Sequence, residues 1–346
     1  DMGILGSASR LSNYPTKFSS GEPIMHDTSA GTQEMMTLQD ALDTSWNIPA
    51  YWTYQTMLKN GQSVKPYMSK MGYQVDNYQI ESLPLGGGID PSVVQHTNGY
   101  QALLNGGQYE QYYVVDSIKD GNGKEIYKHE SKPVQVYSKA TSSIMAELLK
   151  GPIKSQKTTT FYGQLSNLNS TLAGADWVGK TGTSNDFVDA WLMVATPAVT
   201  LSSWVGHDNY TPMAAMTGYN NNSQYVAQLA NSIYQANPDV FGITQRFTLD
   251  PSVTKSTVLT ATGEKPGTFT GGGYTNFTLS GPTTTSYWAK PEGAPTTQYK
   301  FAIGGSDSDY ADAWTKILGS NTGNNANNNA GNTTSSSTDN ANKKKP

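Results

Sequence analysis

The chain has 346 residues, 36% of them hydrophobic and only 14% charged, with a formal net charge of −4 and no cysteine. That length exceeds one ordinary domain and allows a sizeable core, while the slight acidity and the lack of any long basic stripe remove the electrostatic footprint of a nucleic-acid binder. Without cysteine there is no disulfide, no thiolate zinc site and no thiol nucleophile, and no run of 18 or more apolar residues occurs.

In chain order, Asp1-Met2-Gly3-Ile4-Leu5 has neither the basic start nor the apolar stretch of a signal peptide and reads as sequence from inside a domain. Thr37-Leu38-Gln39-Asp40 fits a capping box opening a short helix, and Pro49 stands where a second helix would have its first residue. Ser45-Trp46-Asn47 is left in the loop between them. Asp90-Pro91 caps a predicted helix running towards Leu104, where Asn105-Gly106-Gly107 stops it. Ala190 to Ala195 and Thr200 to Val205 are apolar, aromatic and β-branched, separated by Thr196-Pro197, and read as two strands of a hairpin. Val226, Leu229, Ala230 and Ile233 fall on one face of a helix that ends near Asn237-Pro238.

From about residue 250 to 318, short β-prone runs (Thr257 to Thr260, Thr268 to Thr270, Phe277 to Leu279, Tyr299 to Ile303) alternate with turns such as Lys265-Pro266-Gly267. This spacing suggests a small β-rich module. Residues 319–346 are nearly all Asn, Gly, Ser, Thr and Ala before the closing Lys343-Lys344-Lys345-Pro346, the composition of a disordered polar tail.

Gly179-Lys180-Thr181-Gly182-Thr183 admits two readings that lead to different enzymes. With Gly174 it completes G-x-x-x-x-G-K-[ST], the phosphate-cradling loop of a P-loop nucleotidase. That loop needs a buried strand before it and a helix directly after it, so that amides at the helix N-terminus face the phosphates. Here Ser166 to Thr171 are mostly polar, Gly182 to Asp186 starts a helix poorly, and the Walker-B-like run Tyr112-Tyr113-Val114-Val115-Asp116 precedes the loop instead of following it. The other reading is Lys-Thr-Gly-Thr, one of three signatures of penicillin-binding proteins and class A β-lactamases. In that chemistry a substrate strand lies along the enzyme's edge strand. Gly182 leaves room for close approach, Lys180 supplies positive charge, and the hydroxyls of Thr181 and Thr183 grip a terminal carboxylate.

The second signature of the group, Ser-x-Asn in a loop between helices, is matched by Ser45-Trp46-Asn47, in the expected order. The flanks agree: Lys180 to Asn185, Asp189-Ala190-Trp191, Ala195-Thr196-Pro197 and Trp204-Val205-Gly206-His207-Asp208, preceded by Leu85-Gly86-Gly87-Gly88 and Gln95-His96-Thr97-Asn98-Gly99-Tyr100. The chain resembles class A (bifunctional) penicillin-binding proteins, and as a whole, including its β module and polar tail, it is similar to the 1b type of streptococci and related Gram-positive bacteria. The resemblance implies an α+β transpeptidase fold like that of penicillin-binding proteins and β-lactamases, an antiparallel sheet flanked by helices. The domains expected are a transpeptidase domain over 1–240, a β-rich module over 250–318 and the tail from 319.

One departure is large. The family's first signature, Ser-x-x-Lys, carries the nucleophile and precedes Ser-x-Asn, yet residues 1–45 contain no match. Ser252-Val253-Thr254-Lys255 fits the letters but follows Lys-Thr-Gly-Thr, and reads as a coincidence on the surface. Asp1 to Leu5 resembles the helix that follows the nucleophile in this family, so the nucleophile and two sheet strands are expected upstream of residue 1, and the chain alone is expected to be silent.

By the resemblance, the activity is D,D-transpeptidation: a serine acyl-enzyme forms on D-Ala-D-Ala stem peptides of peptidoglycan and is trapped by β-lactams. Ser45 would shuttle a proton with Lys180 tuning the relay, Asn47 would hold the acyl-side amide, and Thr183 N–H would share the oxyanion hole. No cofactor and no metal is implied. The implied location is the extracytoplasmic face of a Gram-positive membrane, through an upstream anchor, with a glycosyltransferase in the same parent protein.

Blander readings exist for each residue. Ser45 and Asn47 fit a helix cap and its loop, and Lys180 fits a solvated strand lysine. His207-Asp208 suggests a turn contact rather than a triad, since His26, His96 and His129 show no metal spacing. Thr158-Thr159-Thr160-Phe161 is a candidate loop at the cleft border. The rival class is a non-catalytic cell-wall-binding protein that uses the aromatic residues of the β module.

Overall fold

The structure, a computed structural model, describes residues 1–320. Near its start, strands β1 (Arg10–Ser12) and β2 (Met35–Thr37) pair antiparallel, with Leu11 opposite Met36. Strand β2 runs straight into helix α1 (Leu38–Thr44) because Thr37 is the cap: its Oγ1 accepts the Asp40 N–H at 2.9 Å. Asp40 takes the Thr37 hydroxyl at 2.7 Å, so only half of the predicted capping box forms. Helix α2 (Asn47–Lys59) follows after two residues. Its start at Asn47 makes Pro49 its third residue, not its first as expected from sequence; the first turn has no intrahelical acceptors to lose, so proline is tolerated there too.

A short helix α3 (Lys65–Lys70) leads to α4 (Val93–Leu104). The cap of α4 is Ser92, whose Oγ accepts the Gln95 N–H at 3.2 Å, and not the predicted Asp90. Between α4 and α5 (Lys139–Ser155) lie β3 (Gln108–Tyr109), the hairpin β4 (Ser117–Lys119) and β5 (Glu125–Lys128), and β6 (Val134–Gln135). The Tyr112–Val115 run, which has the look of a buried strand, is exposed here, Val114 to 94%. Residues 1–5 are not helical, contrary to the expectation from resemblance; instead the Asp1 carboxylate accepts the Ser138 hydroxyl at 2.6 Å, at the N-terminus of α5.

After α6 (Phe161–Leu168) and α7 (Ser170–Ala173) comes the central antiparallel sheet in the order β7 (Val178–Thr183), β8 (Asp189–Ala195), β9 (Thr200–Gly206). The hairpin expected over 190–205 is therefore present, with Lys180 opposite Met193 and Gly182 opposite Trp191. Alternation sends Leu192 and Val194 into a buried cluster with Ile153, Phe161, Trp177 and Phe241, and with Val226 and Ala230 of α8 (Ser223–Ala236). Among the described residues β7 has a partner on one edge only. No described helix is long and apolar enough to cross a membrane.

The C-terminal residues form β10 (Thr254–Leu259), β11 (Thr268–Gly271), β12 (Tyr274–Thr278), β13 (Thr283–Trp288), β14 (Ala302–Ile303) and α9 (Asp307–Ser320). Their aromatic residues pack on one another: Trp314 is fully buried among Phe269, Tyr274, Phe277, Tyr299 and Phe301, together with Tyr14 and Met35 from the N-terminal end. β14 adds in parallel to β1, so the C-terminal segment completes the sheet that leads into α1. Most of the polar tail, from residue 321, lies outside the described residues.

Candidate active site

Helix α1 ends at Ser45, whose backbone is left-handed (φ 58°, ψ 36°) with its N–H returned to the Ala41 and Leu42 carbonyls. Such a conformation is unfavourable for a residue with a Cβ and is retained where the surroundings fix it. Here the fixing comes from Trp46, which packs on Leu11, Met36 and Ala41, and from Asn47, whose Nδ2 donates to the Met25 carbonyl at 2.6 Å. The serine hydroxyl is thereby turned towards β7.

From β7, Lys180 Nζ donates to Ser45 Oγ at 2.6 Å and to the Thr181 carbonyl at 3.0 Å. Burial of the ammonium pushes its pKa down to about 8, and no carboxylate offsets that desolvation. A lysine in this state exchanges a proton near neutral pH, and its hydrogen-bonded neighbour is a hydroxyl.

Gly182 lies on the same face of β7 as Lys180. A Cβ there would meet only Trp191, at 3.5 Å, so the fold itself does not require glycine at this position. Gly179 differs: a Cβ would fall 2.3 Å from the Met193 carbonyl oxygen and 2.9 Å from Ile153 Cδ1. Thr181 is half-buried and Thr183 exposed on the opposite face, at the open end of the strand. Four of the six sequence-selected residues, Lys180, Thr181, Gly182 and Thr183, thus lie along one unpaired edge, and Ser45 is bound to it. Asn47 adjoins Ser45, with its amide nitrogen committed to Met25.

The P-loop geometry is absent: Gly174 caps α7, and Gly179, Lys180 and Thr181 lie inside a strand, so the helix precedes the glycines and the strand contains them. Ser252 is exposed and donates to Asp250, away from any lysine contact. His207 bonds the Thr211 carbonyl at 3.0 Å through Nδ1, a turn contact. Thr159 and Phe161 are core residues; the Thr159 and Ser223 hydroxyls share a hydrogen bond of 2.7 Å. The sequence does not mark Met25 or His26, the latter read only as lacking metal spacing, as neighbours of this loop, yet their turn touches both Trp46 and Asn47; nothing local in the sequence marks a contact made by a loop returning over 20 residues.

A family model described as the penicillin binding protein transpeptidase domain matches residues 11–236. Penicillin-binding protein 4 of Bacillus subtilis (strain 168) is 29% identical over 202 residues, 57% of this chain and 30% of that protein. The chain spans less than a third of the length of these curated relatives that it matches. Among solved structures, penicillin-binding protein 1A from Haemophilus influenzae superposes with a TM-score of 0.63 at 17% identity, over 86% of this chain and 46% of that one. Penicillin-binding protein A from M. tuberculosis, solved as a ceftriaxone acyl-enzyme complex, gives 0.52 at 15% identity, over 68% and 57%. The α+β fold is the one expected, and the chain belongs to the penicillin-binding protein transpeptidase family.

Proposed function

We propose that the chain supplies the Ser-x-Asn and Lys-Thr-Gly-Thr sides of a serine D,D-transpeptidase site, and that the nucleophile comes from a Ser-x-x-Lys segment outside this sequence. The serine attacks the penultimate D-Ala carbonyl of a stem peptide, the C–N bond to the terminal D-Ala breaks, and an acyl-enzyme remains. An amine of a second stem peptide then takes the acyl group and the serine regains its proton. A β-lactam follows the first half and stops there.

The observation that carries this reading is the 2.6 Å contact between Ser45 Oγ and the desolvated Lys180 ammonium. Ser45 passes a proton to the leaving nitrogen, and Lys180 lowers the cost of that transfer by moving charge through the hydroxyl. Thr181 and Thr183 receive the terminal carboxylate, Gly182 lets the substrate strand approach the free edge of β7, and the Thr183 N–H supplies one oxyanion donor. Asn47 holds the acyl-side amide after exchanging its bond to Met25. The parent protein is of class A, 1b type, on this reading: membrane-anchored upstream, facing outward, and carrying a glycosyltransferase.

The test is intact-mass detection of a penicilloyl adduct on this chain and on one extended upstream through a Ser-x-x-Lys segment. The adduct is expected only on the longer chain, on that serine, and Ser45→Ala or Lys180→Ala slows its formation about 100-fold or more. Acylation at an unchanged rate in both variants overturns the assignment.

A further inference from the structure

The face of the central sheet that carries Lys180 is built in rows across β7, β8 and β9. Lys180 stands opposite Met193 and Met193 opposite Ser202; Gly182 stands opposite Trp191 and Trp191 opposite Trp204. In the next row Ser184, one residue beyond β7, meets Asp189, which stands opposite Gly206. Side chains tie this last row together. Ser184 Oγ donates to Asp189 Oδ2 at 2.8 Å and accepts the Asp189 N–H at 2.7 Å, and Trp204 Nε1 donates to Asp189 Oδ1 at 2.8 Å. A Cβ on Gly206 would fall 2.4 Å from Trp204 Cζ2, so glycine there leaves the space in which the indole lies across the row and reaches the carboxylate.

Ser184 N–H also donates to the Asp189 carbonyl at 3.2 Å, which makes this the hydrogen-bonded kind of antiparallel pair, with the serine hydroxyl standing in for the serine carbonyl as second acceptor. The neighbouring pair, Thr183 and Ala190, is then the other kind, so the Thr183 N–H and carbonyl point away from β8 to the open edge of β7. Beyond this point the chain turns through Asp186 and Phe187, both left-handed (φ 57° and 56°) although neither is glycine, a conformation that persists only where the surroundings fix it. Thr183 is the last residue of β7, where a hairpin without a tie frays.

We propose that Asp189 is a positioning residue for the Thr183 N–H: its carboxylate, held by Trp204 from the third strand, locks Ser184 and so fixes the direction of the adjacent amide. The proposal rests on the reading of Thr183 N–H as an oxyanion donor. An amide aimed before the reaction begins stabilises the developing negative charge without reorganising. The proposal also gives a role to Asp189 and Trp204, which the proton relay of Ser45 and Lys180 leaves unused.

Stopped-flow acylation of the upstream-extended protein by a fluorescent penicillin tests it, because it separates the half-saturating concentration from the limiting rate. Ser184→Ala and Asp189→Ala are each expected to lower the limiting rate about tenfold, well below the melting temperature, and to move the half-saturating concentration less than about twofold. Ser184→Thr keeps the hydroxyl and restores the rate. Trp204→Phe keeps a ring over Gly206 but has no N–H to give; it lowers the limiting rate about threefold, and adds nothing once Asp189 is alanine. Should Asp189→Ala fail to fold, the same comparison is made in the Ser184→Ala background. A purely structural tie would lower the melting temperature and leave the limiting rate unchanged, and that result overturns the proposal, as does a Trp204→Phe loss of equal size in both backgrounds. No acylation of the wild type overturns the transpeptidase reading and this one with it, whereas acylation that needs Ser45 and Lys180 but ignores Ser184 and Asp189 overturns this one alone.

Discussion

Ser45 and Lys180 stand 135 positions apart in the chain and 2.6 Å apart in space, joined by a hydrogen bond from an ammonium that has no carboxylate to balance it. Burying the ammonium in this way costs the folded state stability. Burial places the folded-state pKa of Lys180, about 8, below its ordinary 10.5. The folded protein therefore gains from the neutral amine at high pH, in full above about 10.5, and loses that gain as pH falls through about 8. Lys180→Met removes the penalty. Its melting temperature is expected to exceed the wild type's at about pH 7, with the gap narrowing towards about pH 10. Differential scanning fluorimetry at several pH values decides it, and a gap that stays constant or reverses sinks the idea.

The two glycines flanking Lys180 separate folding from binding. Gly179→Ala drives a Cβ into the Met193 carbonyl oxygen and Ile153, so β7 must shift against β8, at a cost of about 1–3 kcal/mol. Gly182→Ala meets only Trp191 at ordinary contact distance and is expected to melt like the wild type. Its added methyl lies on the face where a substrate strand would approach, so acylation of the upstream-extended protein slows. Equal melting-temperature losses in the two variants would contradict this division of roles.

These residues were legible because the central hairpin carries its own signals: β-branched and aromatic alternation in β8 and β9, a Thr-Pro turn between them, and a Lys-Thr-Gly-Thr string directly upstream that the structure places in β7. Local chemistry also announced α1 through Thr37. It misled at α4, where Asp90-Pro91 looked like a cap but Ser92, two residues on, has the hydroxyl within reach of a free N–H. Helix α9 lies inside the segment expected to be β-rich, although its signals are local: Ser306 and Asp309 exchange backbone and side-chain bonds in a full capping box, and Tyr310, Ala313, Trp314 and Ile317 keep a helical period. Neither the turn that braces Trp46 nor the pairing of β14 with β1 was legible, because each depends on segments distant in sequence whose meeting leaves no periodic mark.

Glu264 offers a pH dependence opposite to that of Lys180. Its carboxylate accepts the Gln298 N–H at 3.0 Å, and burial pushes its pKa from 4.5 up to about 8. The protonated acid is favoured in the folded state, so the contribution to stability is complete below about 4.5 and is lost as pH rises through about 8. Glu264→Gln keeps an oxygen for Gln298 and carries no charge. It is expected to raise the melting temperature at about pH 8.5 and to change it little at about pH 4.5; a larger gain in acid than in base would refute the assignment.

Trp314 links the C-terminal segment to the loop that carries Ser45. Its ring lies 5.1 Å from Phe269 and 5.3 Å from Phe301, and its Nε1 donates to the Tyr299 carbonyl at 2.8 Å. Phe301 immediately precedes β14, which pairs with β1; β1 pairs with β2, and β2 ends at Thr37, the cap of α1, eight residues before Ser45 closes that helix. Trp314→Ala leaves a large cavity and is expected to cost about 3–5 kcal/mol. Because the loss is transmitted along that chain of strands, hydrogen exchange should rise in β1 and β2, and acylation of the extended protein should slow well below the melting temperature. Tyr225→Ala, on the exposed face of α8, serves as the control and is expected to stay within about 0.5 kcal/mol of the wild type. If Trp314→Ala loosened α9 alone and left exchange in β1 and β2 unchanged, the C-terminal segment would be an appendage and not a support for Ser45.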